Sequence, residues 1–242
     1  MPPSETAGGS DLQPVVSLDD PRAVQILATE HWSLLASRSL AYNEAFTRGG
    51  MFLTFLSTSF VALALLAQAM SFGDQFLTVA AIVLAFDLVI GLTTYFRIEG
   101  ANVDDLSAVY GMARIRHGYT EIAPILRPYF TSPTHDDMTS LMAAYGNPSN
   151  RGIGVILYGL TTSGGMIGLI TSMVGGILAA VLGLILGVPG EPAVWVGVVG
   201  AVVVFAILAV LTTGSITRNQ STMPPMYPAP TEESDVEPRP VS

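Results

Sequence analysis

Four stretches of the chain carry almost no charge, and the polar residues are sorted into the segments between them. The first lies between Arg48 and Asp74. The second runs from Gln75 to Phe96 with Asp87 as its one charged residue, the third fills the gap between Arg151 and Glu191, and the fourth the gap between Pro192 and Arg218. A bilayer-spanning helix needs about 20 mostly apolar residues, so each stretch is long enough to cross. The pattern predicts an all-α integral membrane protein with four transmembrane helices in two hairpins, 49–96 and a Gly-rich 152–217. The gap from Gly152 to Gly190 would measure nearly 60 Å as one helix, roughly twice a bilayer core. The crossing is therefore placed at about Gly164–Val188, with 152–163 either an interfacial lead-in or a re-entrant segment hinged at Gly164-Gly165.

The flanking segments read differently. Residues 1–20, rich in Pro, Ser, Gly and acids, are expected to be disordered and end in Asp19-Asp20-Pro21, a helix start. From Pro21 to Arg48 a helical projection gathers Val24, Leu27, Ala28, Trp32, Leu34, Leu35, Tyr42, Ala45 and Phe46 on one face, with Arg22, Glu30, Ser33, Ser37, Glu44 and Arg48 opposite. This amphipathic helix, 21–48, is expected to feed span one through a bend at Gly49-Gly50. Its polar face balances acids and bases, so it suits docking on protein better than lying on a membrane. Segment 97–151 predicts a small helical layer, with starts at Asn102/Asp105 and Thr134/Asp137 and breaks at Pro124, Pro128 and Pro133. Residues 218–242, rich in proline and acid, read as a disordered tail.

Composition sharpens the class. Of 242 residues, 50% are hydrophobic and 12% charged, against roughly 25% charged in soluble domains. The formal charge of -9 argues against a nucleic-acid binder, which would need a basic face. There is no cysteine, so disulfides and thiolate sites are excluded. All ten basic residues are arginine, and every one falls before span one, between spans two and three, or after span four. The positive-inside rule then places both termini and the central segment in the cytoplasm of a bacterial inner membrane. Trp195, Pro189, Gly190 and Pro192 suit the outer interface, and no cleavable signal peptide is expected.

Candidate chemistry is sparse. In span three, Gly164, Gly168, Ser172, Gly176 and Ala180 form one small-residue row, with Thr171, Gly175, Ala179, Gly183 and Gly187 beside it. Such rows let membrane helices approach closely, either within the hairpin, where Ala193, Gly197 and Ala201 answer, or in a gate or homo-oligomer contact. Asp87 lies fourteen residues after Gly73 and Ser59 fourteen before it, so the two should meet at one depth, with Thr54, Ser57 and Thr58 as further hydroxyls. An intramembrane acid is either a titrating or ion-coordinating site or a protonated structural group. His31 and Arg38 project onto the apolar side of the first helix as a polar cluster, with Asp104, Asp105, Glu121, Asp136 and Asp137 as partners. The three histidines form no recognised metal motif, and no phosphate loop or nucleophile elbow occurs. No enzyme activity and no cofactor are expected.

The run EHWSLLASRSLAYNEAFTRGGMFLTFL, with the later HDD, resembles a group of bacterial, largely actinobacterial, four-span membrane proteins without an assigned activity. It carries over no functional residue. In organisation the chain is also similar to bacterial two-transmembrane defence effectors thought to form pores, from which it departs by its second hairpin and tail. The expected function is a homo-oligomeric membrane assembly or scaffold with the lipid bilayer and a cytosolic protein as partners. The alternative is an oligomeric ion channel or small transporter using Asp87, and a third reading is a lipid-modifying enzyme.

Overall fold

The computed structural model describes residues 17–18, 20–145 and 159–230. The expectations for the lead before residue 17, for 152–158 and for the tail beyond 230 lie outside the described residues. Among the described residues every regular element is a helix, and four are long and apolar enough to cross a membrane.

The first is α1 (Pro21–Ala69), 49 residues long. Asp20 caps it by accepting the Arg22 backbone N–H at 2.9 Å, with Pro21 in the first turn. After a turn in which Ser71 and Phe72 take φ of 51° and 55°, the chain returns as α2 (Asp74–Ile122), again 49 residues. The boundaries expected at 48/49 and 96/97 are not breaks, because each polar segment and its span form one helix. Gly49 is a buried contact point where α1 passes Ile98 and Ile167, rather than a bend. Asn102 and Asp105, expected to start a helix, lie within α2, where their side chains bond Glu99 and Arg38 instead of capping.

The two helices stay in antiparallel register over about 73 Å. Ser59 meets Asp87, Arg38 meets Asp105, and the Leu34 and Leu27 side chains lie over Gly111 and Gly118. The α2-facing row of α1 passes through Ala45, Phe52, Leu56, Ser59 and Leu63, all buried. The apolar face read for 21–48 divides accordingly. Leu27 and Leu34 pack on α2, whereas Trp32 is 69% exposed and Phe46 65% exposed.

A 3-10 turn (Pro124–Tyr129) and the short α3 (Met138–Ala144) follow α2. The start of α3 is capped by Asp137, whose carboxylate accepts the Ser140 N–H at 3.0 Å, rather than by Thr134. The second hairpin comprises α4 (Ser163–Ile185) and α5 (Gly190–Thr222). Thr162 caps α4 by accepting the Gly165 N–H at 3.1 Å, so Gly164 and Gly165 lie in its first turn. At its other end Gly187 takes φ +85° while the Val188 N–H bonds Gly183 O, a glycine-terminated helix end. Gly187 therefore serves the turn and not helix packing, and a side chain built on it would meet nothing within 4 Å.

α4 is the central strip of the bundle, packed between α2 and α5. Towards α2, an added Cβ would stand 2.7 Å from the Tyr95 ring at Gly168 and overlap the Glu99 carboxylate at Gly164. Towards α5, it would stand 2.6 Å from Gly197 O at Gly176, and 3.1 Å from Val204 at Gly175. Ala180 closes the same seam against Gly197, Gly183 makes only ordinary contact with Val188 and Val196, and Ser172 is buried with its hydroxyl on Gly168 O. Small residues allow these approaches, and in lipid contact itself holds helices together.

The segment expected as a disordered tail from 218 departs from that reading over its described part. α5 continues to Thr222, and residues 224–229 lie as a strap against α2 and the start of α3, because Asp136 and Asp137 accept its backbone N–H groups.

Gly176→Val, which drives a side chain into the Gly197 carbonyl, is expected to destabilise the bundle by about 1–3 kcal/mol. Gly214→Ala, inside α5 with nothing within 4 Å, is expected to stabilise slightly, by up to about 1 kcal/mol. Unfolding midpoints in mixed detergent micelles measure both.

Candidate functional site

Two polar centres lie on α2, one inside the apolar span and one beyond it. Asp87 is fully buried, and Ser59 Oγ donates to its Oδ1 at 3.0 Å. Its Oδ2 has no hydrogen-bond partner among the described residues. The other three hydroxyls lie elsewhere: Thr54, Ser57 and Thr58 are exposed and donate to the carbonyls of Gly50, Leu53 and Thr54 one turn back. At 100° per residue, Ser59 shares the α2-facing row of Phe52 and Leu56, and those three do not.

α4 contributes a group that was read only as a small packing residue. Thr171 is fully buried, and its hydroxyl, also without a partner among the described residues, lies over Gly91, where a Cβ would stand 2.8 Å away. One turn further along α2, Tyr95 Oη lies 2.5 Å from Thr212 Oγ1 and donates to Leu208 O at 3.3 Å. Another turn on, the half-buried Glu99 carboxyl accepts from Asn102 at 3.4 Å. Asp87, Gly91, Tyr95 and Glu99 follow each other at four-residue intervals, a row visible in the sequence. Four hollows on the described surface are lined by Glu191 and Trp195, by the 130–135 loop, by Gly50 and Thr54, and by Phe96 and Glu99. None of them includes Asp87.

Outside the span, Glu44 accepts from Arg97 at 2.6 Å and from Arg48 at 3.0 Å, which holds its pKa down at about 2, mainly through Arg97. Further out, the Asp105 carboxylate joins three helices. It accepts Arg38 Nε at 2.5 Å, Tyr42 Oη at 3.1 Å and Tyr145 Oη at 2.5 Å, and is 2% exposed. Burial and the adjacent carboxylate push the Tyr145 phenol well above its usual range. His31 does not join this centre. It lies near the Tyr119 ring with its buried Nδ1 unpartnered among the described residues, and burial and the Arg116 charge lower its pKa. His31 and Arg38 share a helix face without forming one cluster. Among the described residues no three His, Asp or Glu side chains converge as a metal site.

Comparison with protein-family models, curated proteins and solved structures returned no match. Function must be read from the chain's own chemistry.

The last centre holds the strap. Asp136, fully buried, accepts Arg114 Nε at 2.7 Å and the backbone N–H groups of Met226 and Tyr227 at 2.9 and 2.7 Å. Arg114 also donates to Pro224 O at 2.7 Å, Asp137 accepts the Ala229 N–H at 3.0 Å, and the Tyr227 ring stacks on His117 at 4.0 Å. Of the expected acid partners, Asp105 receives Arg38, Asp136 receives Arg114, and Glu121 lies 3.5 Å from His117. Asp104 lines the hollow beside Glu99.

Burial raises the pKa of Asp136, but the donated N–H groups and Arg114 outweigh it, and the net pKa is depressed below 3.8. A depressed carboxylate stabilises the folded form above its unfolded pKa and ceases to as pH falls through its native pKa. Amide exchange at Met226, Tyr227 and Ala229 is therefore expected to stay protected, after correction for intrinsic rate, from neutral pH to about 4. Protection declines as pH falls further through the native pKa, and at neutral pH Asp136→Asn loses it at Met226 and Tyr227, whose N–H groups that carboxylate accepts. Protection in that variant equal to wild type would contradict the clasp.

Proposed function

We propose that the protein is a non-enzymatic membrane assembly, a homo-oligomer of the bacterial inner membrane with both termini cytoplasmic. Its latched helical layer projects from the membrane as a platform for a protein partner. The orientation follows from the arginines, which lie in the segments assigned to one side. The enclosure of Asp87 supports a packed structural role for that acid.

One observation carries the reading: the outward face of α1 has no partner among the described residues. The glycine rows of α4 are occupied by α2 and α5, so a contact between copies falls to another surface. On α1, Gly50, Met51, Thr54, Phe55 and Thr58 line an open hollow of about 570 Å³ at membrane level, and a Cβ on Gly50 would meet nothing within 4 Å. Beyond the span the outer surface of the same helix exposes Leu40 and Trp32 (72% and 69%). A small-residue groove continuing into exposed apolar side chains suits a parallel copy of the same helix.

The alternative, an ion channel or small transporter using Asp87, draws on the Asp87 and Thr171 oxygens that have no partner among the described residues and on the row leading to Glu99.

Because the chain lacks cysteine, a single Thr54→Cys reports unambiguously. In oxidised native membranes it is expected to form a covalent dimer, whereas Val199→Cys on the exposed face of α5 stays monomeric. Failure of Thr54→Cys to cross-link, or equal cross-linking by both, would sink the α1 contact. A proton conductance in vesicles that Asp87→Asn abolishes would move the assignment to the alternative.

A further inference from the structure

We propose that the loop Thr131–His135 is a binding site for the phosphoryl group of a soluble phosphorylated compound. The inference does not depend on the assembly reading. It begins with the arginines: Arg22, Arg38, Arg48, Arg97 and Arg114 each pair with a carboxylate. Arg116 and Arg127 pair with none among the described residues, and both lie against this loop. The half-buried Arg116 reaches Pro133 O at 3.5 Å, and Arg127 Nη2 lies 3.5 Å from His135 Nε2. In a chain of net charge -9, two uncommitted guanidinium groups at one loop form a local positive centre.

Arg127 and the loop itself line an open hollow of about 570 Å³, together with Phe130 and Ser140 and with no acid among its described lining residues, while Arg116 backs the loop at Pro133 O. This size accommodates a small phosphorylated molecule. The hydroxyls of Thr131, Ser132 and Thr134 and the backbone N–H groups of Thr131, Ser132, Thr134 and His135 make no hydrogen bond among the described residues. The buried Nδ1 of His135 is likewise unpartnered.

The carboxylates nearest in sequence are engaged elsewhere. Asp136 holds Arg114 and the strap, and Asp137 holds Ser140 and Ala229. Across the loop His117 stacks on Tyr227 and pairs with Glu121. A tetrahedral anion supplies several acceptor oxygens and negative charge, which matches an excess of N–H and O–H donors beside two cations.

Position selects the source of the phosphoryl group. The loop lies at the level of Arg114–Arg127, about 27 Å or more along α2 from Phe96 at 1.5 Å per residue. A lipid headgroup layer is only about 5–8 Å deep. Headgroups of the membrane that holds the protein do not reach the hollow, whereas a dissolved compound does.

Isothermal titration of the full chain in nanodiscs with inorganic pyrophosphate tests the site. Saturable binding is expected, weakened about tenfold or more by Arg127→Gln. Arg127 is exposed and outside the packed core, so that variant is expected to fold. Arg48→Gln, at the membrane end of the polar part of α1 beside Glu44 and Arg97, is expected to leave the affinity unchanged. No saturable binding, or equal affinity in Arg127→Gln, would overturn the site. Binding suppressed by anionic phospholipid in the disc would assign the phosphoryl group to lipid and overturn the soluble ligand.

Discussion

Two apolar helices in a bilayer gain little by hiding from solvent, since lipid is as apolar as their own side chains; what holds them is close contact and the few polar groups between them. α4 meets that constraint with a surface almost free of large side chains on two sides. Gly164 and Gly168 admit Glu99 and the Tyr95 ring from α2, while Gly175 and Gly176 admit Val204 and the Gly197 backbone from α5. Gly91 extends the close approach by making room for the Thr171 hydroxyl. The position of Asp87 depends on the same packing, because the carboxyl is sealed at the depth where α1, α2 and α4 adjoin.

Beyond the apolar spans the constraint reverses. Backbone and side-chain polar groups can be solvated there, so order must come from specific partners. The α1–α2 pair continues in register and is held by one shared acceptor, Asp105, which ties Arg38, Tyr42 and Tyr145 into three helices. The strap adds a second tie by presenting backbone N–H groups to Asp136 and Asp137. Breaking one partner of such a buried pair costs more than the pair itself contributes, because it strands a charge away from water.

Much of this was legible in the residues, and the exceptions have physical causes. Charge-free runs mark the four apolar helices because lipid excludes unpaired polar groups. The equal spacing of Ser59 and Asp87 about Gly73 sets their common depth because the hairpin is short and both arms are helical. Periodicity could not show that each polar segment and its span are one helix, since glycine pairs and capping-box patterns look alike whether a helix starts there or packs there. Nor could it show which of four neighbouring hydroxyls reaches Asp87, which depends on the rotation of α1 about its axis. The strap was invisible for another reason: a proline-rich acidic segment has no periodicity, and its order comes from carboxylates far away in sequence.

Everything said of α4 rests on its N-terminal half, Gly164, Gly168 and Thr171, receiving the chain's own α2 and not that of a neighbour. A double variant, Gly91→Cys with Thr171→Cys, places two thiols across that seam in a chain that has no other cysteine. Oxidised in native membranes and run without reductant, it should give an intrachain disulfide that migrates as a single compacted monomer. A disulfide-linked dimer dependent on both cysteines would instead show α4 packing on a second copy, and would contradict the bundle and the assignment of the oligomer contact to α1.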